Sequence, residues 1–254
     1  MQLIFLGTGS AFTINANNYQ SNVLLDNLAG KRLLIDCGTD IRFSLNEQGY
    51  TYKDIDAIFI SHLHADHVGG LEWLAFSTYF DPSCEKPTLY IHETLVHDLW
   101  NKVLSGGLSS LQNRITNLST FFKVIVISRN GCFTWSDVEF QLVQTIHSMN
   151  GFVLMPSFGL LFKINQKQIF LTTDTQLVFN QMKNFYEQAD IIFHDCETAD
   201  YKTGVHAHYA ELCLLPVPIK NKMWLYGYQP GVLPDAVAEG FQGFVQKGQT
   251  FNWE

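Results

Sequence analysis

Short apolar runs rich in Ile, Val, Phe and Leu, each bounded by Gly, Asn or Asp, recur along the whole chain. They predict β-strands over 2–6, 22–26, 31–36, 57–61, 88–91, 122–127, 137–145, 158–163, 168–173, 190–194 and 223–226. Helical patterns between them predict helices over 39–48, 68–79, 93–104, 178–188, 208–214 and 234–240, the first with Asp40 near its start and Gly49 at its end. Strand followed by helix is the order of a layered α/β structure. No stretch reads as a linker, a low-complexity tract or a short-period repeat, so the expectation is one domain over 1–254. A two-part rhythm runs through it. Early strands lead to a His and Asp cluster at 62–67 and later ones to His147 and Asp174, as two similar halves facing one site would.

The cluster carries the chemistry. The apolar run Ile58-Phe59-Ile60 ends at Ser61, and His62, His64, Asp66 and His67 follow within six residues, before Val68-Gly69-Gly70. Neutral imidazoles and a carboxylate are the ligands that Zn²⁺ or a comparable borderline cation takes. A tight loop between strand and helix can aim His62 and His64 at one ion and Asp66 and His67 at another, with Gly69 and Gly70 permitting close backbone approach. A lone His would be an ordinary surface residue; three His and one Asp behind a buried-type strand read as a metal site.

Composition narrows the partners. The chain has 254 residues, 46% of them apolar, enough to bury a substantial core. Its net charge is −8, from 16 basic and 24 acidic residues, with no basic run. Long nucleic acids bind largely through Lys and Arg, so no long RNA or DNA partner is expected, whereas a small anionic substrate held by metal ions is compatible. The five cysteines are scattered and form no C-x-x-C, which argues against a disulfide framework or a thiolate zinc site. No apolar run approaches the ~20 residues needed to span a bilayer, and Met1–Leu6 lacks the pattern of a signal peptide. The expected location is the cytoplasm, with no membrane partner.

His62-x-His64-x-Asp66-His67 resembles the signature of the metallo-β-lactamase superfamily, whose fold is an αββα sandwich of two facing mixed sheets flanked by helices. Further motifs follow in order: His147 in Thr145-Ile146-His147-Ser148, Asp174 in Leu171-Thr172-Thr173-Asp174, and His206 in Gly204-Val205-His206-Ala207-His208. The resemblance implies His62, His64 and His147 on one metal, Asp66, His67 and His206 on the other, and Asp174 bridging the two. Such a pair of ions, two Zn²⁺ or Mn²⁺, holds a hydroxide and binds a phosphoryl or carbonyl oxygen. Asp36 is expected to orient a ligand imidazole.

Phe5-Leu6-Gly7-Thr8-Gly9-Ser10, Leu34-Ile35-Asp36-Cys37-Gly38 and Ile191-Ile192-Phe193-His194-Asp195 resemble the ribonuclease Z-like phosphodiesterase branch. That resemblance implies His194 as proton donor beside the metals, the alternative being a hydrogen-bonded core histidine. The tRNA-gripping arm of ribonuclease Z usually lies between the motifs matching His147 and Asp174, and here only 148–173 separates them. Stretches 99–108, 204–212 and 222–226 are closer to small enzymes that cleave cyclic nucleotides, including the anti-Pycsar phosphodiesterases. A His common in the family after the last strand is replaced by Gly227-Tyr228.

Members of that subgroup are homodimers whose subunits help close each other's sites. The Gly-rich 105–118 segment either reaches across or is a plain surface loop. Trp73, Phe76, Tyr79 and Phe80 are spaced as a core-facing stripe, with base stacking the alternative. His92 and His97 are incidental, and His208 either contacts substrate phosphate or caps the helix after it. The expected activity is therefore hydrolysis of a small phosphodiester, with Asp66 and His194 as catalytic residues and His208 as a substrate contact. A ribonuclease Z-type nuclease, a thioesterase or lactonase, and a non-catalytic sequestering protein are the rivals.

Overall fold

A computed structural model of the chain describes residues 1–14, 17–128 and 131–253. The first half supplies β1 (Gln2–Phe5), β2 (Val23–Asp26), β3 (Arg32–Ile35), β4 (Ala57–Ile60), β5 (Thr88–His92) and β6 (Lys123–Ile127). The second supplies β7 (Cys132–Trp135), β8 (Val138–Thr145), a small hairpin of β9 (Met149–Asn150) and β10 (Val153–Leu154), then β11 (Ser157–Ile164) and β12 (Lys167–Leu171). β13 (Ile191–Asp195), β14 (Met223–Tyr226), β15 (Gly243–Phe244) and β16 (Thr250–Asn252) complete the series.

Among the described residues these strands build two seven-stranded sheets, ordered β16-β1-β2-β3-β4-β5-β6 and β15-β14-β13-β12-β11-β8-β7. β3 to β6 run parallel, as do β12 to β15, and the remaining pairings are antiparallel. β2 and β4 bury every residue, as strands covered on both faces do. β8, next to the edge strand β7, alternates exposed and buried positions over most of its length. Phe5 meets Phe193 at 5.1 Å and Phe59 stacks on Phe133 at 5.6 Å, so aromatic rings join the two inner faces. Outside the second sheet, Met182 and Tyr186 of the helix Phe179–Gln188 pack with Leu212 and Ile219. The helix Leu71–Phe80 buries Leu71, Leu74 and Ala75 in the main core. The result is the expected αββα sandwich.

Several elements differ from the pattern-based expectation. The helix expected over 68–79 starts earlier, as a single turn Ala65–Val68, breaks at Gly69-Gly70 and resumes as Leu71–Phe80. Over 93–104 an α-helix, Glu93–Asp98, gives way to a π-helical stretch, Leu99–Leu104. No helix forms over 234–240: Pro234 and Gly240 (φ 93°) bracket too few residues, and only a turn over 236–240 is present. β7, unpredicted, pairs with β8 through Ser136 (φ 46°) and Asp137 (φ 63°), a two-residue turn with both φ positive, which suits the twist of a hairpin. His62, His147 and Asp174 stand within three residues of the ends of β4, β8 and β12, and Asp195 is the last residue of β13.

Candidate metal centre

His62 is the second residue after β4, His64 is the extended residue before the helical turn, and Asp66 and His67 lie on that turn. The loop after β3 holds the turn in place: Cys37 N–H donates to the His67 carbonyl (2.7 Å) and Gly70 N–H to the Cys37 carbonyl (2.8 Å). A Cβ at Gly38 would strike the Asp66 carbonyl oxygen, and one at Gly70 the Gly38 carbonyl oxygen. The metal-type loop therefore rests on bare backbone from the neighbouring strand.

Three nitrogens converge. His62 Nε2 and His147 Nε2 each lie 3.0 Å from His64 Nδ1. Tetrahedral zinc with Zn–N of 2.0–2.1 Å places its donors about 3.3 Å apart, close to this spacing. Beside them, His67 Nε2 is 3.1 Å from Asp66 Oδ2 and 3.2 Å from Asp174 Oδ2. The same Asp174 oxygen is 3.8 Å from His62 Nε2, 3.7 Å from His147 Nε2 and 4.0 Å from His206 Nδ1. Three donor sets result: His62, His64, His147 and Asp174; Asp66, His67 and Asp174; and Asp174, Asp195 and His206. Asp174 belongs to all three. His206 stands with Asp195 and Asp174 rather than within the Asp66–His67 set.

The other ring nitrogens are committed elsewhere, which fixes the tautomers. His67 Nδ1–H donates to Asp36 Oδ2 (2.7 Å) and His147 Nδ1–H to the Val205 carbonyl (2.8 Å). Ser61 Oγ donates to Asp36 (2.7 Å) and accepts from His62 Nδ1–H (3.0 Å). At His206 it is the nitrogen measured above, Nδ1, whose N–H donates to Asp195 Oδ2 (2.7 Å), which leaves Nε2 to offer a lone pair. A donor held from behind by carboxylate or carbonyl is the usual support of a metal-binding imidazole. Asp36 takes the orienting position expected of it. Asp195 takes one assigned in the sequence only to the acid after His194, and β13 alternation carries the signal for it, because successive side chains point to opposite faces.

Electrostatics agree with the donor chemistry. Burial, then the neighbouring His67, push His62 well below the usual imidazole range, and burial and His147 lower His64. Their lone pairs are free at neutral pH. At His67 burial works the other way from Asp174, Asp66 and Asp36, and the carboxylates win, holding it well above its ordinary value. His206 is half-buried, and against that desolvation Asp195 and Asp174 lift it to about 10. Two imidazoles thus keep protons among four carboxylates, Asp36, Asp66, Asp174 and Asp195. If two divalent ions replaced those two protons, four positive charges would face the four carboxylates. The residues fit a pair of divalent cations.

Three expected roles receive different positions. His194 is fully buried, accepts from Tyr186 Oη–H at Nε2 (2.7 Å), and donates Nδ1–H to the Asp195 carbonyl (2.6 Å). Burial lowers it to about 4. It points to the helix side of β13, away from the face on which Asp195 meets His206, and the proton-donor expectation does not hold. His208 caps the helix Tyr209–Leu212: Nδ1 accepts from Ala210 N–H (3.2 Å) and Nε2–H donates to the Ala199 carbonyl (2.9 Å). Both nitrogens are used, so the capping alternative replaces a substrate contact. Of the aromatic stripe, Trp73, Phe76 and Tyr79 pack on the core, but Phe80 is exposed.

His92 caps the helix Glu93–Asp98 and His97 pairs with Asp98 at the surface. Tyr228, at the position of the replaced family His, accepts from Thr8 Oγ1 (2.8 Å) and donates to the Val245 carbonyl (2.9 Å), tying down the Gly7-Thr8-Gly9 loop. A cavity of about 80 Å³ opens beside His62, His64 and His147, walled by Leu63, Leu95, Met155 and Pro156.

Comparison with known proteins follows the same line. The family model described as "Anti-Pycsar protein Apyc1" matches residues 1–251. A protein of that name from Paenibacillus harenae is 36% identical over 230 residues, covering 90% of both chains. Another from Bacillus phage vB_BveM-Goe7 is 32% identical over 260 residues, covering 98% of this chain and 96% of the relative. Among solved structures, the metallo-β-lactamase fold protein YhfI from Bacillus subtilis superposes with a TM-score of 0.74 at 19% identity, over 99% of each chain.

Proposed function

The chain belongs to the Anti-Pycsar protein Apyc1 family, and from that premise we propose that it is a metal-dependent phosphodiesterase whose substrate is a small phosphodiester, a cyclic nucleotide above all. The observation that carries the reading is the shared Asp174 oxygen, common to all three donor sets. In this proposal His62, His64 and His147 hold one Zn²⁺, Asp66 and His67 hold the second, His206 joins the second by way of the shared Asp174, and Asp174 serves both, with Mn²⁺ as a substitute. When bound, the ion pair polarises the phosphoryl group and supplies a hydroxide. Asp36 and Asp195 keep the imidazoles aimed, and Asp66, the least buried of the four carboxylates, orients the attacking group. His194 takes no part.

The proposal extends to a single domain acting in the cytoplasm as a homodimer. Within 105–118, Arg114 donates to Tyr79 Oη (2.7 Å) while Ile115 is fully exposed, an apolar tip suited to a second subunit. Among the described residues no helix is long and apolar enough to cross a membrane.

The test is metal analysis of the purified protein followed by a substrate panel of cyclic mononucleotides, cyclic dinucleotides, precursor tRNA, bis-nitrophenyl phosphate, acyl thioesters and lactones. The expected outcome is close to two metals per chain with turnover of cyclic nucleotides, reduced to background in Asp174→Ala with the circular dichroism spectrum kept. Thioester or lactone hydrolysis without phosphodiester turnover, or an Asp174→Ala variant of full activity, refutes it.

A further inference from the structure

Between His147 and Pro156 the chain builds an element that belongs to neither sheet. β9 and β10 pair only with each other, Asn150 opposite Val153 and Met149 opposite Leu154. Met155 N–H donates to the Ser148 carbonyl (2.9 Å) and closes the foot, and Gly151 makes the turn at φ 61°. A lone two-stranded hairpin is at best marginally stable in water, yet this one turns its apolar side chains outward. Phe152 is fully exposed, Val153 67% and Met149 53%. Phe152 and its neighbour Val153 put exposed apolar surface at the tip of one small projecting element, unlike the singly scattered kind.

Two observations direct that surface to the substrate. The foot of the hairpin is part of the candidate centre: Ser148 follows His147, and Met155 and Pro156 line the small cavity whose other walls are His64, His147, Leu63 and Leu95. From foot to tip is about three residues, so Phe152 stands within roughly 10 Å of the foot. The donor cluster itself presents imidazoles and carboxylates, which suit a phosphate between metal ions, and the apolar-walled cavity beside it encloses only about 80 Å³.

We propose that the hairpin Met149–Leu154 is the base-recognition element of the site, with the nucleobase of the substrate stacked on the Phe152 ring. The proposal rests on the phosphodiesterase reading of the same centre. Stacking of a base on an aromatic side chain accounts for a roughly tenfold effect on affinity.

The experiment compares the metal-loaded wild-type chain with Phe152→Ala and Phe152→Trp on two substrates, a nucleoside 3′,5′-cyclic phosphate and the abasic ribose 3′,5′-cyclic phosphate. Phe152→Ala is expected to raise the nucleotide-to-abasic KM ratio about tenfold with little change in kcat, and Phe152→Trp to restore it. An unchanged ratio overturns the proposal. So does an equal loss on both substrates accompanied by dissociation in sedimentation velocity, which would make the hairpin a contact between subunits. If the wild type hydrolyses neither compound, the phosphodiesterase reading fails, and fluorescence still decides the hairpin. The emission added by Phe152→Trp is quenched on binding the cyclic nucleotide but not the abasic compound; no quenching refutes the stacking.

Discussion

Replacing Asp36 by Asn tests whether the centre is held from behind as its geometry implies. Asp36 has φ 64°, a left-handed conformation that Asn adopts readily, so the exchange keeps both backbone and shape. The carboxylate accepts three hydrogen bonds, from His67 Nδ1–H and Ser61 Oγ–H at Oδ2 (both 2.7 Å) and from Ser61 N–H at Oδ1 (2.8 Å). An amide has one accepting oxygen. If that oxygen faces His67, its NH₂ meets Ser61 N–H; if it faces Ser61 N–H, the NH₂ meets His67 Nδ1–H. Either way a donor opposes a donor in a buried place, where an unpaired group costs about 1–3 kcal/mol.

Loss of an orienting partner weakens metal binding by about 10–100-fold, equivalent to ~1.4–2.8 kcal/mol. The effect should be larger at the site containing His67 than at the one containing His62, because Asp36 reaches His62 only through Ser61 Oγ. Titration of the metal-free wild type and Asp36→Asn with Zn²⁺ against a chromophoric chelator measures both affinities, with dichroism to confirm the fold. Affinities at both sites within twofold of wild type, in a folded variant, refute the orienting role.

Two further outcomes follow from the buried groups. His206 is raised to about 10, against an ordinary value near 6.5, so its stabilising share in the metal-free protein is complete below its unfolded value and is lost as pH rises through the folded one. Calorimetry of the chelator-treated chain should therefore show Tm falling between neutral pH and pH 10, while metal affinity rises because binding expels the proton; a flat or rising Tm contradicts this. His194→Ala opens a cavity and strands the Tyr186 hydroxyl, a loss of about 2–4 kcal/mol in urea unfolding. Its kcat should change equally for nitrophenyl and natural substrates, and a selective loss on poor leaving groups would return His194 to an acid role.

How much of the fold was legible depended on strand length. β4 and the middle or end of β11 (Leu160–Phe162) and β12 (Ile169–Leu171) are continuous apolar runs, and their burial on both faces requires such composition. β15 and β16 have two and three residues, too short for any period to register, and they are placed by pairing with β14 and β1. β7 was hidden for another reason. Cys132 and Thr134 face out while Phe133 and Trp135 face in, a brief alternation whose turn uses Ser136 and Asp137 where Asn-Gly would have advertised it.

At the site, spacing along the chain identified residues but not the directions of their side chains. His62, His64, Asp66 and His67 come from one turn of chain, and local geometry was enough to bring them together. His147 and Asp174 arrive just after separate strands and His206 from the loop before the helix Tyr209–Leu212, and all three were found through their order rather than through any contact visible in sequence. The His194-Asp195 pair shows the limit. Both are titratable, adjacent and at the end of β13, but a strand sends neighbours to opposite faces, so only one of them can meet His206. Register decides which: His194 pairs with Leu225 and Asp195 with Tyr226, and the helix Phe179–Gln188 sets Tyr186 against the His194 ring. The imidazole is consumed by packing, and the carboxylate, which looked like its accessory, is the group that holds a candidate metal donor.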